Sequence, residues 1–232
     1  MWIKLGLILF LVFAVPSLGR ASGPDDSLLF YSVGVNGAAG VYLGNGLVLS
    51  VAHVVGGGIL NKPSVTIGSR TLTATVVKES PFEQLDLALL EFDESGLPLS
   101  VRLRRIQLCQ GKPWPGEEVT SLSAQGPVRS HVLSPTVLPP ETRRFSTVIR
   151  DVANTGNSGS AVFDAQRKCL LGIMSRKISQ IRQKKTTGEK TTVDIAKYFV
   201  PAATIADFMP QRFRLAPESN PPVQFLIVNK QP

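Results

Sequence analysis

Short apolar segments separated by turn residues run along most of this chain, and they constrain its fold more than any other feature. In the first half these segments are rich in Val, Leu and Thr, are bounded by Gly, Asn, Pro or Ser, and occupy residues 28–35, 40–50, 64–68, 72–79 and 85–92. The second half repeats the pattern at residues 117–124, 130–138, 144–152, 160–175 and 190–200. Helical periodicity is absent from the first set, so the segments are typical of β-strands. Two successive sets of short strands predict an all-β fold with two barrels side by side.

Turn and breaker residues divide the chain further. Gly44-Asn45-Gly46 lies between two apolar runs and tolerates the positive φ of a hairpin turn. Residues 201–210 have Pro at the first turn and at the stop, which predicts a short C-terminal helix. In the tail, the apolar residues 225–228 either add an edge strand or stay mobile. We therefore expect one barrel over residues 22–105 and a second barrel with the helix over residues 106–213. A Pro-containing tail is expected over residues 214–232.

The first 21 residues have the layout of a secretory signal peptide. Lys4 is followed by an apolar run over residues 5–15, then by Pro16 and by small residues around Gly19 and Ala21. The run is only 11 residues long, whereas a helix needs about 20 to cross the hydrocarbon core of a bilayer. We therefore expect cleavage rather than a permanent span, and a secreted or periplasmic protein without a stable membrane span.

The chain is basic, with a formal net charge of +8 that becomes +6 once residues 1–21 are removed. A positive net charge is compatible with binding to nucleic acid, to an anionic cell envelope or to acidic substrates, and it does not distinguish among these partners. Residues 176–190 concentrate this charge, with Glu189 as the lone acid against Arg176, Lys177, Arg182, Lys184, Lys185 and Lys190. A solvated hairpin rim is the favoured interpretation, and attraction of acidic protein segments toward a neighbouring cleft is the sharper one. We expect no nucleic-acid partner, because aromatic residues are not interleaved with these charges.

Cys109 and Cys169 are the only cysteines in the sequence. An even pair in an exported chain favours a disulfide over a metal site. Two cysteines and two histidines at unrelated spacings do not make a zinc cluster. We therefore expect one disulfide, no metal and no organic cofactor.

A serine flanked by glycines is the strongest local signal. Residues 155–163 read Thr-Gly-Asn-Ser-Gly-Ser-Ala-Val-Phe, with Ser158 just ahead of an apolar strand. A tight turn at this place aims the N–H groups of Gly156 and Ser158 at one point, which is what a developing oxyanion requires. An ordinary Gly-Ser loop leading into a strand is the alternative, since short motifs recur by chance.

A serine nucleophile needs a base within hydrogen-bond reach, and histidine is the expected one. His53 follows an apolar strand and precedes a glycine-rich loop, whereas His131 lies in a polar stretch typical of a surface. The imidazole in turn needs an acceptor for its other nitrogen. Asp86 fits because it heads an apolar strand, where a buried carboxylate is costly without a hydrogen-bonded partner. The alternatives are a satisfied core or turn histidine and an aspartate that caps a turn.

Three motifs follow one another in the order His, Asp, Ser: S-V-A-H, D-L-A-L-L and G-N-S-G-S. They resemble the catalytic motifs of trypsin-like serine peptidases, above all those of the bacterial HtrA-type and glutamyl-endopeptidase-like branches. The resemblance covers about residues 28–210 and implies two antiparallel six-stranded β-barrels of the chymotrypsin type. It implies that His53 is base and then acid, Asp86 its orienter and Ser158 the acylated nucleophile, with Gly156 and Ser158 forming the oxyanion hole. The sequence departs from the family at Ser160, where a glycine is usual, and we expect no PDZ domain.

The same resemblance implies substrate contacts from residues on either side of the nucleophile, namely Val152, Thr155, Ser175, Arg176 and Lys177. Residues 171–175 resemble the strand that pairs with the substrate backbone, with Ser175 near the buried aspartate. Val152, six residues before the nucleophile, corresponds to the base of the primary pocket. Its aliphatic side chain predicts cleavage after small or medium aliphatic residues.

We therefore predict a secreted serine endopeptidase that hydrolyses protein or peptide substrates through an acyl-enzyme. Two other functions stay open on the sequence. The first is a noncatalytic protease homologue that binds proteins or the envelope outside the cytoplasm, although all three triad positions are filled. The second is a basic anion-binding surface protein, in which the triad is accidental.

Overall fold

The computed structural model of the protein describes residues 25–56, 62–123, 125–150, 157–184, 186 and 188–213, so the expected signal peptide and tail lie outside the described residues. The strands of the first half are β1 Ser32–Val35, β2 Ala38–Gly44, β3 Leu47–Ser50, β4 Ser64–Ile67, β5 Arg70–Thr73, β6 Thr75–Ser80 and β7 Leu87–Glu91. Those of the second half are β8 Glu118–Ser123, β9 Gly126–Leu133, β10 Val148–Ile149, β11 Ala161–Asp164, β12 Leu170–Gln183 and β13 Lys190–Pro201. The α-helices are α1 Ala52–Val55, α2 Leu99–Arg102 and α3 Ala202–Phe208, and 3-10 turns cover Asp26–Tyr31, Pro135–Val137, Pro140–Thr142 and Gln211–Phe213.

The first seven strands form one antiparallel sheet in the order β5-β4-β1-β2-β3-β7-β6. β5 and β6 occupy its two edges, although Ala74 alone separates them in sequence. The sheet therefore has to curl until its edges meet at Ala74, whose N–H donates to the carbonyl oxygen of Pro63 at 2.9 Å. Counted as one bent strand, β5 and β6 give the six strands predicted for the first half.

The remaining six strands close into an antiparallel barrel in the order β10-β13-β12-β11-β8-β9. α3 follows β13 directly and buries Ala202, Ile205 and Phe208, which share one face of the helix. The predicted all-β, two-barrel fold with a short C-terminal helix is confirmed. One apolar core cluster contains residues of both halves, from Leu43 and Leu89 to Phe163 and Phe199, so the two units pack against each other.

The predicted hairpin at residues 44–46 joins β2 to β3. Gly44, Asn45 and Gly46 all have positive φ, at 99°, 54° and 70°. A Cβ on Gly44 would lie 2.4 Å from the carbonyl oxygen of Arg104. Glycine is therefore required at this position for space as well as for conformation.

Several short stretches differ from the sequence-based prediction, such as the 3-10 turn Pro135–Val137 within the predicted strand segment 130–138, and two further differences are larger. Residues 28–31, predicted as strand, belong to a 3-10 turn in which Leu28 is buried while Phe30 is 58% exposed. β12 continues to Gln183, eight residues past the predicted end, because β13 pairs with it along this whole length. The apolar pattern could not indicate the 3-10 segment, because so short a helical segment is stabilised by tertiary packing rather than by its own sequence. It could not indicate the extension of β12 either, because the extended hairpin is largely exposed.

The predicted disulfide between Cys109 and Cys169 is present, and both residues are buried. The Cys109 N–H donates to the carbonyl oxygen of Leu170 at 3.0 Å, so the bond joins segments that already pair through the backbone. It fixes the start of β12 to the segment that enters the second barrel.

Replacing both Cys109 and Cys169 with Ala should lower the free energy of unfolding by about 4 kcal/mol, because the 60-residue separation makes the loop costly to close. Urea unfolding of the variant and of the oxidised wild type measures the difference. Reduced wild type is the matched control and should lose a similar amount. A loss below about 1 kcal/mol in both would contradict the expected contribution.

Asp25 ties the start of the described chain to the second barrel. Its carboxylate accepts hydrogen bonds from Arg129 Nε at 2.9 Å, from Thr120 Oγ1 at 3.2 Å and from Lys168 Nζ. Burial raises the pKa of Asp25, but the hydrogen bonds from Lys168 and Arg129 outweigh it and leave the pKa below its ordinary value of 3.8. The carboxylate therefore stabilises the folded state while it is ionised.

Asp25→Asn should lower the free energy of unfolding by about 1 to 3 kcal/mol at pH 7, since the hydrogen bonds to a charged acceptor are weakened. Because the folded pKa is depressed, this stabilisation is complete above 3.8 and is lost as the pH falls through the folded value. Urea unfolding over a pH series should show the wild type and variant converging as the pH falls below 3.8. Glu141→Gln, an exposed carboxylate, is the control. A difference that stays constant with pH would contradict the assignment.

Candidate active site

His53 lies in the first turn of α1, directly after β3. Asp86 directly precedes β7, and β3 and β7 are neighbours in the sheet, with Ser50 opposite Ala88. The two residues therefore leave adjacent strands at the same end. The backbone N–H of His53 donates to Asp86 Oδ1 at 3.2 Å, which holds the first turn of α1 against the carboxylate.

Asp86 is fully buried and has a φ of 55°, in the left-handed region that few residues other than glycine adopt. The turn over residues 81–85 places it there, with its own N–H donating to the carbonyl oxygen of Pro81 at 3.0 Å. Both carboxylate oxygens lie 3.0 Å from His53 Nδ1. Ser175 Oγ donates to Asp86 Oδ2 at 2.5 Å. A buried carboxylate is tolerated here because every side of it meets a donor.

Ser158 belongs to a tight turn over residues 157–160 that docks on the first sheet. The Ser158 carbonyl oxygen accepts from the N–H of Ala39 in β2 at 3.2 Å. Gly159 has a φ of 85°, and a Cβ on it would lie 1.9 Å from the Ala39 carbonyl oxygen, so no other residue fits. This backbone contact between the two halves brings Ser158 Oγ to 2.9 Å from His53 Nε2.

Ser160, where the sequence departs from the resembled family, has a structural function in this turn. Its side chain is buried, and its Oγ accepts the N–H of Asn157 at 2.9 Å, while its own N–H donates to the Asn157 carbonyl oxygen at 2.9 Å. A glycine would supply the second hydrogen bond and not the first. The hydroxyl thus closes the turn that presents Ser158.

The three side chains form one continuous line of hydrogen bonds. With the Nδ1 proton of His53 directed to Asp86, the neutral ring presents the Nε2 lone pair to Ser158 Oγ. Asp86 is buried, while the His53 side chain is 33% exposed, so the line runs from the interior to the cleft. This arrangement can accept a proton from Ser158 and stabilise the resulting imidazolium.

Arg176, Phe82 and Phe145 build a wall beside His53 that the sequence did not reveal. The Arg176 guanidinium stacks on the Phe82 ring at 3.8 Å and on the Phe145 ring at 4.9 Å. Its Nη2 donates to the Phe82 carbonyl oxygen at 2.6 Å. The Phe82 ring meets the His53 ring edge to face, with centroids 5.5 Å apart. Since these contacts span three distant segments, no local pattern could have indicated them.

The other predicted site residues divide into two groups. Ser175, Arg176 and Lys177 lie on β12 beside Ser158. Three others lie outside the described residues: Gly156 of the expected oxyanion hole, and Val152 and Thr155 of the expected substrate pocket. The second histidine, at 131, is exposed on β9.

Within residues 25–56, 62–123, 125–150, 157–184, 186 and 188–213, no three His, Cys, Asp or Glu side chains are grouped so that they could hold a metal ion. None of the helices in these ranges is long and apolar enough to cross a membrane.

Residues 38–173 match the family described as the Trypsin-like peptidase domain, and this range contains His53, Asp86 and Ser158. The chain belongs to this trypsin-like peptidase family. The match spans more than half of the sequence and includes the hydrogen-bonded line described above. No curated protein matches the sequence.

Solved structures of proteases share the fold of this trypsin-like peptidase at low sequence identity. The active form of the Rv3671c protease from M. tuberculosis is 18% identical, with a TM-score of 0.53 over 92% of this chain and 97% of that one. The MamO protease domain from Magnetospirillum magneticum is 21% identical, with a TM-score of 0.51 over 78% and 96%. Kallikrein-related peptidase 10 is 19% identical, with a TM-score of 0.56 over 78% and 94%. At these identities the likeness concerns the fold alone.

Proposed function

We propose that the protein is a serine endopeptidase that acts outside the cytoplasm and cleaves protein or peptide substrates through an acyl-enzyme. The hydrogen-bonded line from Asp86 through His53 to Ser158 Oγ is the observation that carries this proposal. Membership of the trypsin-like peptidase family supports it. A fully buried carboxylate that contacts a histidine, which in turn contacts a serine, is an arrangement typical of a functional site rather than of chance.

Each of the three residues has a distinct part in the reaction. His53 Nε2 takes the hydroxyl proton as Ser158 Oγ attacks the substrate carbonyl. Asp86 holds the ring in the required tautomer and stabilises the imidazolium. The imidazolium then gives its proton to the leaving amine, and the C–N bond breaks to leave an acyl group on Ser158. His53 next deprotonates a water molecule that attacks this ester, which releases the acid and restores the serine.

Charge on the tetrahedral oxygen is stabilised by backbone N–H groups. Ser158 supplies one of them at the start of the turn held by Ser160 and Gly159, and the family resemblance assigns the other to Gly156. The turn is fixed on Ala39 of the first sheet through the Ser158 carbonyl oxygen, so we expect the Ser158 N–H to be oriented before substrate arrives. Such preorganised donors are typically worth 100- to 1,000-fold in kcat.

An open strand edge offers a place for the substrate backbone. β12 pairs with β11 up to Ile173, and Met174 exchanges backbone hydrogen bonds with Gly159 and Ser160, both at 2.8 Å. From Ser175 onward, no described strand pairs with that edge of β12. An extended peptide adding to residues 175–177 runs past Ser158 in the way that strand addition generally delivers a ligand.

The extracytoplasmic location rests on two features. The first is the expected signal peptide over residues 1–21. The second is the Cys109–Cys169 disulfide, since such bonds persist mainly in oxidising compartments. Amino-terminal sequencing of the exported protein tests the location directly, because cleavage near residue 21 is expected.

Labelling with a serine-directed fluorophosphonate tests the enzyme assignment. The purified protein should take up one label per chain, whereas Ser158→Ala should take up none. Ser134→Ala, which removes a hydroxyl that only caps a 3-10 turn, is the matched control and should label normally. A wild-type protein that stays unlabelled would contradict the proposal and favour a noncatalytic homologue.

A further inference from the structure

A cavity of about 390 Å³ opens on the first barrel between the 3-10 turn Asp26–Tyr31, the turn from β4 to β5, and α2. The buried part of its lining is apolar and consists of Ile67 and Leu97. Its charged lining residues are Arg70 and Arg104, and none of the described lining residues carries a carboxylate. The cavity therefore combines an apolar interior with two positive charges, and it shares no residue with the proposed active site.

Backbone carbonyl groups rather than carboxylates hold the two arginines. Arg70 Nη1 donates to the carbonyl oxygen of Gly96, and Arg104 Nη1 donates to that of Phe30 at 2.6 Å. Among the described residues, neither guanidinium has a carboxylate partner. A guanidinium has five N–H donors, so most donors of both arginines remain available to an anion. The cavity thus has two oriented positive charges without a counter-charge.

Three large apolar side chains are exposed around the same cavity. Phe30 lines it, and the Arg104 guanidinium stacks on the Phe30 ring at 4.6 Å from the centroid. Leu99 and Leu103 are neighbours in sequence of lining residues, and they are 58% and 65% exposed. The Leu103 N–H donates to the Leu99 carbonyl oxygen at 2.9 Å, so these two side chains share one face of the helical turn. Single exposed apolar residues are common, but three around one cavity form a patch that indicates an interaction site.

We propose that this α2 surface, formed by Phe30, Leu99, Leu103, Arg70 and Arg104, binds an anionic phospholipid bilayer. The two guanidinium groups bind headgroup phosphates, and the apolar side chains enter the boundary between headgroups and acyl chains. An anionic bilayer presents negative charge directly above hydrocarbon and therefore matches both parts of the surface. An acidic protein segment matches only the charge. The inference goes beyond the proposed function, because it concerns where the protein is held rather than what it cleaves.

Sedimentation with large unilamellar vesicles tests this proposal. The exported protein, from which residues 1–21 are expected to be removed, is mixed with vesicles of phosphatidylcholine alone or of equal parts phosphatidylcholine and phosphatidylglycerol. The partition coefficient should be at least about 25-fold higher for the anionic vesicles, since each of the two arginines contributes about fivefold near an anionic surface. It should fall as salt is raised. Equal binding to both kinds of vesicle, or binding to neither, would overturn the proposal.

Variants assign the binding to the α2 surface. Arg70→Gln with Arg104→Gln should lower the partition coefficient for anionic vesicles about 25-fold, because both headgroup contacts are weakened. Leu99→Ser with Leu103→Ser should lower it at least about tenfold, because two apolar side chains no longer enter the interface. The two leucines are exposed, so this second variant should have the melting temperature of the wild type.

A matched control removes the same charge elsewhere. Arg182→Gln with Lys184→Gln changes two exposed positions of the β12–β13 hairpin and should alter the partition coefficient by less than about twofold, since charges outside the contact are screened. Binding that survives in both variants of the α2 surface would overturn the proposal. Binding that is lost in the arginine variant but unchanged in the leucine variant would also overturn it, in favour of an acidic protein partner. Fluorophosphonate labelling of each variant reports separately on the peptidase assignment.

Discussion

Ser158→Ala should lower kcat for peptide hydrolysis about a million-fold, because the attacking oxygen is removed while the fold is retained. His53→Ala should cost a similar factor, since the serine hydroxyl then has no base within 2.9 Å. The double variant should lose no more than either single one, because the two residues act as a unit. Initial rates on one fluorogenic peptide, measured over a wide range of enzyme concentration, give all three values.

The chain offers a matched control for the histidine. His131 is exposed on β9 of the second barrel, whereas His53 follows β3 of the first sheet, so His131→Ala should retain full activity. Urea unfolding of each variant checks that the loss is not one of folding. A Ser158→Ala protein that retains more than about a hundredth of the wild-type kcat would contradict the assignment of the nucleophile.

Asp86→Asn should lower kcat about ten-thousand-fold while KM changes little. The Asp86 carboxylate only accepts hydrogen bonds, and it receives them from His53 Nδ1, from the His53 backbone and from Ser175. An amide group turned toward the ring donates to Nδ1 instead, which moves the ring proton to Nε2. That tautomer has no lone pair for the Ser158 proton, so the serine loses its base.

Two measurements separate this effect from a loss of structure. The melting temperature of Asp86→Asn shows whether the buried site still folds, since asparagine is nearly the same size and keeps one acceptor oxygen. Fluorophosphonate should label the variant far more slowly than the wild type, but still at Ser158. A fall in kcat of less than about tenfold in the folded variant would contradict the assigned function of Asp86.

The three residues of the hydrogen-bonded line could be predicted from the sequence because each occupies a recognisable local setting. A serine between glycines, a histidine after an apolar strand and an aspartate at the head of another are patterns within a few residues. Their meeting could not be derived in this way. His53 and Ser158 are 105 residues apart, and they meet because the nucleophile turn docks on Ala39, a backbone contact without a side-chain signature.

The pairing of Lys177 with Lys197 also depends on information that a sequence pattern does not carry. β12 and β13 shift register twice, between Met174 and Arg176 and between Ile178 and Ser179. A bulge adds one residue to one strand and changes which residues face each other. The sequence shows that residues 176–190 are basic, but not which lysines share a face beside the nucleophile. The same limit applies to Arg176 between Phe82 and Phe145.

Mass spectrometry of a trapped acyl-enzyme tests the central claim most directly. A p-nitrophenyl ester is mixed with the protein and quenched during the first turnover, when acylation has occurred and hydrolysis of the ester intermediate lags behind. We expect a burst of one nitrophenol per chain and one acyl group on Ser158, with no burst from His53→Ala. Turnover without an acyl group on Ser158, or with the group on another residue, would contradict the proposed mechanism.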